Sequence, residues 1–320
     1  MKLSFDVMDL LIGVKLIFLK FSMTKISIFL LILITLHLPL MASGESWKLN
    51  GAISSMTGSY QASMVMNNQR SVGMSFGGEF EQHWGFSGGV QTTRIDLTAL
   101  SPTPTQKQDN WSISGHWHEP SEFEPGRWTF ELNGHKIYST DVSGISDGAR
   151  VIVPKVTWLS YTNPLKLDMS YAVSSYRNIP AIHQYSAGVG MGINGQKNWL
   201  EIHHHYINGL IPTQVFDRTY THATDIQITQ KISSSSKFVP STITLGFETG
   251  QRIYNIDTAT QTVYNLPMLN KGGRNISANW ELSPTEKVVL YSARSKYSAA
   301  EPFLHNFNLN TLGFQYLTSW

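Results

Sequence analysis

The chain contains no cysteine, so no disulfide framework holds it together. Charge is also scarce. Asp, Glu, Lys and Arg make up 14% of the residues, against about a quarter in ordinary soluble proteins. A soluble domain of this size needs more solvated face, whereas a chain that shows lipid over much of its outside needs less. After the first 44 residues, no segment is apolar enough for long enough to cross a bilayer as a helix, which takes ~20 residues. Charge imbalance is missing as well. The formal net charge of +2 is carried by residues 1–44, where Lys2, Lys15, Lys20 and Lys25 stand against Asp6 and Asp9. The neutral remainder gives no reason to propose nucleic-acid binding.

The N-terminal stretch reads as a leader. Met23-Thr24-Lys25 precedes the apolar run Ile26 to Leu36, then Pro39 and the small residues Ala42-Ser43-Gly44. A positive start, an apolar core and a small-residue site make a cleavable signal peptide, with cleavage near Gly44. A transmembrane anchor is the weaker reading, because the apolar core is too short. Asp6 and Asp9 interrupt the apolar residues before Met23, which makes Met23 the expected start. The expected organisation is a leader over 1–44 and one domain over 45–320.

From Trp47 onward, segments of about ten residues alternate apolar and polar side chains and end in turn residues. Period-two alternation is the mark of a strand. In Thr242–Glu248, Ile243, Leu245 and Phe247 take one face, while Thr242, Thr244, Gly246 and Glu248 take the other. Arg274–Leu282, Asn110–His118 and Lys166–Ser174 repeat the pattern. The polar set decides the class. It carries Ser, Thr, Gly, Asn, Gln and Glu of mixed size, while the uniform face is apolar and often aromatic. That suits lipid outside and a wet lumen inside.

Short turns near 82–83, 119–126, 163–164, 194–197, 233–237 and 283–285 alternate with longer loops near 57–69, 97–109, 139–148, 177–181, 209–220, 256–272 and 298–307. The count predicts about fourteen strands, within a range of twelve to sixteen. The expected fold is an all-β, transmembrane, antiparallel up-and-down β-barrel. Trp84, Trp128, Trp199 and Trp280 are expected near the membrane–water boundaries.

The chain stops on a strand, Asn310 to Trp320, in which Leu312, Phe314, Tyr316 and Trp320 share one face. This stretch resembles the C-terminal signature of bacterial outer-membrane β-barrel proteins, porin-like barrels among them. In that family the last strand ends in Phe or Trp and is read by the barrel-assembly machinery. The resemblance implies an outer-membrane location in a Gram-negative bacterium and an assembly signal in Phe314, Tyr316 and Trp320. It also implies contact with outer-membrane lipid and lipopolysaccharide, and passive passage of small solutes.

Alternation assigns Glu79, His116, His118, Asp168, Glu201, His203, His205, Asp225, Lys231, Glu248, Arg252, Glu281, Arg294 and Lys296 to the lumen. Charges ringed around a pore set its selectivity; opposite charges that pair can instead fill it. His203 and His205 with Glu201 offer the spacing of a metal site, which would need His116 and His118 from another strand. A pH-dependent lumen charge is the stronger expectation, and no metal site or cofactor is predicted. Ser186, His183, His222, His305, Asp217 and Asp225 lie near the predicted outer rim, where a lipid hydrolase would carry a Ser–His–acid set. No stretch resembles a lipid-hydrolase motif, and no enzyme activity is expected. The 256–272 loop, with Tyr264, Leu266, Pro267, Met268 and Leu269, is apolar enough to fold inward and narrow the lumen. A closed barrel with a structural or partner-binding role is the alternative reading.

Overall fold

The computed structural model describes residues 47–320 except 82, 120–124, 141–143, 145, 178, 211–218, 235, 237, 254–255, 258–261, 264–267 and 299–305. The expected leader and the Met23 start lie outside the described residues. So do Tyr264, Leu266 and Pro267 of the apolar loop, and Asp217 and His305.

Sixteen strands are described: β1 (Trp47–Gln61), β2 (Met66–Phe80), β3 (Trp84–Leu97), β4 (Thr105–His118), β5 (Gly126–Ser139), β6 (Arg150–Ser160), β7 (Leu165–Ser175), β8 (Ile182–Ile193), β9 (Asn198–Asn208), β10 (Tyr220–Lys231), β11 (Thr242–Gly250), β12 (Ile256–Asp257), β13 (Thr262–Val263), β14 (Leu269–Ser283), β15 (Glu286–Ser298) and β16 (Asn306–Ser319). All but β12 and β13 form one closed antiparallel barrel in chain order. The fourteen-strand barrel matches the count expected from the sequence. β12 and β13 pair only with each other, between β11 and β14.

The last strand closes the ring. It pairs with β15 on one side and with β1 on the other, from Asn50↔Ser319 to Gln61↔Asn308. Trp320 N donates to Leu49 O at 2.9 Å, and Leu49 N donates to Trp320 O at 3.2 Å. Every backbone group in lipid needs a partner, so the terminus must be tied down to its final residue. At the end of the barrel that holds both termini the connections include 81–83, 161–164, 194–197 and 284–285. Asn194 and Gly195 there take positive φ (52° and 64°), as a tight hairpin turn demands. The opposite, loop end carries 98–104, 140–149, 176–181, 209–219, 251–268 and 299–305. One connection differs from expectation. The loop expected over 57–69 is mostly strand, and β1 and β2 are joined by 62–65 alone.

Burial follows the alternation. Ile113 (71% exposed), Met169 (64%), Leu312 (60%) and Leu132 (58%) point outward. Such a surface is an unmatched liability in water and the expected coat in lipid. Outward tryptophans near the turn end touch across strands: Trp84 with Trp117, and Trp128 with Trp158, at ring-centre separations of 6.1 and 6.5 Å. Tyr171, Tyr185, Tyr206 and Tyr220 run outward from β7 to β10, with centres 4.9, 6.4 and 5.7 Å apart. Trp199 is an exception to the expected girdle. It shares its face with inward Glu201, to which its indole N–H donates at 2.8 Å.

Several strands are longer than lipid requires. β1 and β2 have 15 residues each, whereas a tilted membrane strand needs about 9–11. At about 3.3 Å per residue and a tilt near 40°, such a strand rises about 35–40 Å. The apolar band is about 25 Å tall. The strands therefore stand well clear of the lipid, and this excess at the loop end has consequences for the site.

Candidate functional site: a polar wall and an apolar mouth

The inward side chains of β7, β8 and β9 form the first polar cluster. Asp168, Gly188 and His203 are cross-strand neighbours in one row. Gly188 has no side chain, so the carboxylate of β7 and the imidazole of β9 meet over it. His203 Nε2 lies 3.1 Å from Asp168 Oδ2. A Cβ at Gly188 would overlap both groups. The next row repeats the device: Lys166, Gly190 and Glu201 are neighbours, and Lys166 Nζ donates to Glu201 Oε1 at 2.7 Å. Alternate glycines on β8 thus let residues two strands apart bond to each other.

The second cluster starts one residue pair higher. Ser186 Oγ lies 2.8 Å from His205 Nδ1, and His205 Nε2 lies 3.0 Å from Asp225 Oδ2. A carboxylate only accepts, so Nε2–H is the donor to Asp225 and Nδ1 accepts from the Ser186 hydroxyl. Gln184 Nε2 donates to Ser186 Oγ at 3.1 Å. Arg252, buried beyond the end of β11, donates from both terminal nitrogens to Asp225. Glu248 stands 3.9 Å from the same guanidinium.

Ser186, His205 and Asp225 have the connectivity of a hydrolytic triad, but the rest of such a site is missing among the described residues. Ser186 is only 5% exposed. The flanking strands pair through the ladder on both sides of it. Acyl transfer needs free amides aimed at the oxyanion, and amides committed to a ladder do not supply them. The trio links β8, β9 and β10 to one another and, through Asp225, to Arg252. His183 and His222, two of the three histidines expected at the rim, face outward.

The third cluster lies by the β2–β3 turn. His116 and His118 of β4 have ring centres 4.7 Å apart, tilted by 46°, beside Glu79 of β2. His203 and His205 are committed to Asp168 and Asp225, so the pairing of these histidines with His116 and His118 imagined from sequence does not form.

Of the remaining expected lumen charges, Lys231 lies at the turn end of β10 on the inward register, and Glu281 pairs with Lys287 at 3.4 Å. Arg294 and Lys296 are corrections. Tyr297 and Ser295 are inward, so Arg294 and Lys296 face outward, opposite Asn310 and Asn308. They lie on the part of β15 that rises above the lipid band, where polarity no longer marks the inner face. They join an outward set of cations near the loop end: Arg70, Arg94, Lys107, Lys136, Arg150 and Arg274. Arg274 and Arg294 are directly opposite each other. Inward groups that the sequence reading missed include Lys155, Lys166, Glu131 and His135; their strands were read for pattern, and the register needed to pair them was not legible.

Near the loop end the inner face turns apolar. Ile137, Val151, Val153, Ala172, Ile182 and Ile207 of β5 to β9 join Ile253 and Leu269, which bracket the segment between β11 and β14, in one buried cluster. A second cluster takes Tyr60, Met66, Ile95, Tyr297, Phe307 and Leu309 from β1, β2, β3, β15 and β16, with Met268 packed on it. Adjacent residues Met268 and Leu269 thus tie the two clusters. The described ends of the segment, Arg252–Ile253 and Met268–Leu269, are turned to the inner face, and Arg252 is tied to the wall through Asp225.

No family model matches the chain, and no curated protein sequence matches it. Solved structures do. The toluene transporter TodX of Pseudomonas putida superposes with a TM-score of 0.54 at 8% identity, over 87% of this chain and 91% of that one. A TodX deltaS2S3 mutant, described as a monoaromatic hydrocarbon channel, gives 0.53 at 7% identity, over 87% and 92%. The fold is that of bacterial outer-membrane channel barrels.

Proposed function

We propose that the chain is a bacterial outer-membrane barrel that acts as a porin-like passive channel for small solutes. One observation carries this reading. Inside a closed wall coated with apolar side chains, the inward charged and polar side chains Glu79, His116, Glu131, Lys155, Lys166 and Glu201 are only partly buried and keep surface open to solvent. Charged groups held inside a barrel favour a wet lumen. The inward charges, from Glu79 and His116 to Asp168, Glu201, Asp225, Lys231, Glu248 and Arg252, filter what passes. Most of them are paired along the wall, so the filter is set by dipoles and residual charge rather than by a free ring.

The apolar mouth favours one class of solute over others. Ile253, Met268 and Leu269 pack into apolar clusters at the loop end, and an apolar entrance suits small, weakly polar molecules. The TodX structures are those of a toluene transporter and a monoaromatic hydrocarbon channel, and they support this narrower reading. Outward cations at the loop end suit the phosphates of lipopolysaccharide. The terminal strand, with Phe314, Tyr316 and Trp320, serves as the assembly signal, and residues 1–44 as the leader.

Liposome swelling tests the reading. Vesicles carrying the protein should swell in iso-osmotic small solutes faster than in trisaccharides. Equal swelling to protein-free vesicles, with the barrel intact, would favour the closed structural barrel.

A further inference from the structure

Glu79, Gly85 and His116 occupy one cross-strand row on the inner face of β2, β3 and β4. The middle position is empty of side chain. A Cβ at Gly85 would run into the His116 ring, which lies across that gap. His118, two residues on, shares the face. Its Nε2 is 4.0 Å from Glu79 Oε1, and its Nδ1 is 2.8 Å from Thr129 Oγ1. One ligand atom from each of Glu79, His116 and His118 lies within 4.8 Å of the others, and all three residues are partly buried.

We infer that Glu79, His116 and His118 form a binding site for a divalent transition-metal ion, Zn2+ foremost, inside the barrel beside the β2–β3 turn. The chemistry of the donor set points there. Two imidazoles and one carboxylate, with a position left for water, are a recurrent zinc set, and imidazole suits Zn, Cu and Ni over the hard cations. Ligand atoms bound to a tetrahedral Zn2+ at 2.0–2.2 Å stand roughly 3.4 Å apart, so the three must draw in from at most 4.8 Å. Support surrounds the ligands. With Nε2 turned to Glu79, the Thr129 hydroxyl on Nδ1 fixes the His118 ring, the kind of outer contact that orients a metal-binding histidine. Glu131 is the cross-strand neighbour of His116 on its other side and adds negative charge. Arg127, which shares the inner face of β5 with Thr129, opposes it. The site is separate from the Asp168–His203 and Asp225–His205 clusters, whose histidines are already held by carboxylates. It is also independent of the solute the channel passes.

The test uses the protein purified from outer membranes in detergent and Zn2+ alone, followed by isothermal titration, with Co2+ as a spectroscopic probe. One equivalent of tightly held Zn2+ is expected, and Co2+ should give the visible absorption of nitrogen and oxygen coordination. His116→Asn with His118→Asn should abolish that equivalent. Gly85→Ala changes no ligand but displaces the His116 ring, and should weaken binding about 10–100-fold. His222→Ala, on the outer surface, should change nothing. Heat-resistant migration on a gel verifies that each variant is a folded barrel. Stoichiometric binding that survives in the double variant, or no binding in the parent, would overturn the proposal. Loss of binding in His222→Ala alone would place the metal on the outside and overturn it too.

Discussion

Arg252, just past the end of β11, donates from both terminal nitrogens to the carboxylate of Asp225 on the adjacent strand β10. The same carboxylate accepts from His205 at 3.0 Å. Asp225 therefore joins the polar wall to the start of the segment that links β11 and β14.

Removing this anchor should loosen the mouth. Arg252→Ala leaves Asp225 with His205 alone, and breaking a buried ion pair costs about 3–5 kcal/mol. The variant is expected to remain a heat-resistant barrel, because the ladder of fourteen strands is untouched. Single-channel recording should show larger or longer openings than the parent protein. Unchanged openings would mean that the segment is held by other contacts.

The apolar clusters should act as the constriction itself. Ile253→Ser with Leu269→Ser removes two side chains that are each less than 10% exposed, and wets the mouth. Swelling rates for polar solutes are expected to rise severalfold, while rates for small aromatic solutes rise less. A uniform increase would show that the mouth limits size and not polarity.

The outer coat should be intolerant of charge only within the lipid band. Leu132→Arg places a cation in the middle of the band and should destabilise the lipid-embedded barrel by about 2–4 kcal/mol. Lys296→Ala, above the band, should leave stability unchanged within about 0.5 kcal/mol. Urea unfolding in lipid vesicles measures both.

Acidification should shift selectivity toward anions. Histidine in water gains a proton near pH 6.5, and histidines of β4, β5 and β9 face inward. Each proton taken up adds positive charge to the wall. The anion-to-cation permeability ratio from reversal potentials should therefore rise as the pH falls from 7.5 to 5. A fixed ratio would show that these groups do not titrate along the path.

Ser186 should not be a nucleophile. A fluorophosphonate probe is expected to leave the folded protein unlabelled, since the hydroxyl is buried and its strand offers no oxyanion donors. Ser186→Ala should lower stability by about 1 kcal/mol through loss of the bond to His205. Labelling that vanishes in this variant would establish hydrolytic chemistry.

The barrel was legible because lipid imposes a uniform rule on one face. Leu245 and Phe247 must be apolar, while Thr244 and Gly246 need not be, so alternation shows through weak individual strands. The same rule explains the failures. Arg294 and Lys296 sit where β15 has left the lipid, so their polarity carried no information about side. Ile137, Val151 and Ile207 are apolar yet inward, because they pack in one cluster with Ile253 and Leu269 rather than against lipid. The polar clusters were legible as a list of residues and not as partners. Register decides that His203 meets Asp168 and that His116 meets Glu79, and the signal that could have revealed it is the run of alternate glycines on β8 and Gly85 on β3. A glycine between two polar residues on the inner face marks where they can touch.

Conductance tests the central claim most directly. The protein purified from outer membranes, and the Ile253→Ser/Leu269→Ser variant beside it, are added to a planar bilayer at neutral pH. The account predicts discrete current steps for the parent and larger ones for the variant. Silent bilayers for both, with heat-resistant folded barrels on a gel, would contradict the channel and leave a closed structural barrel.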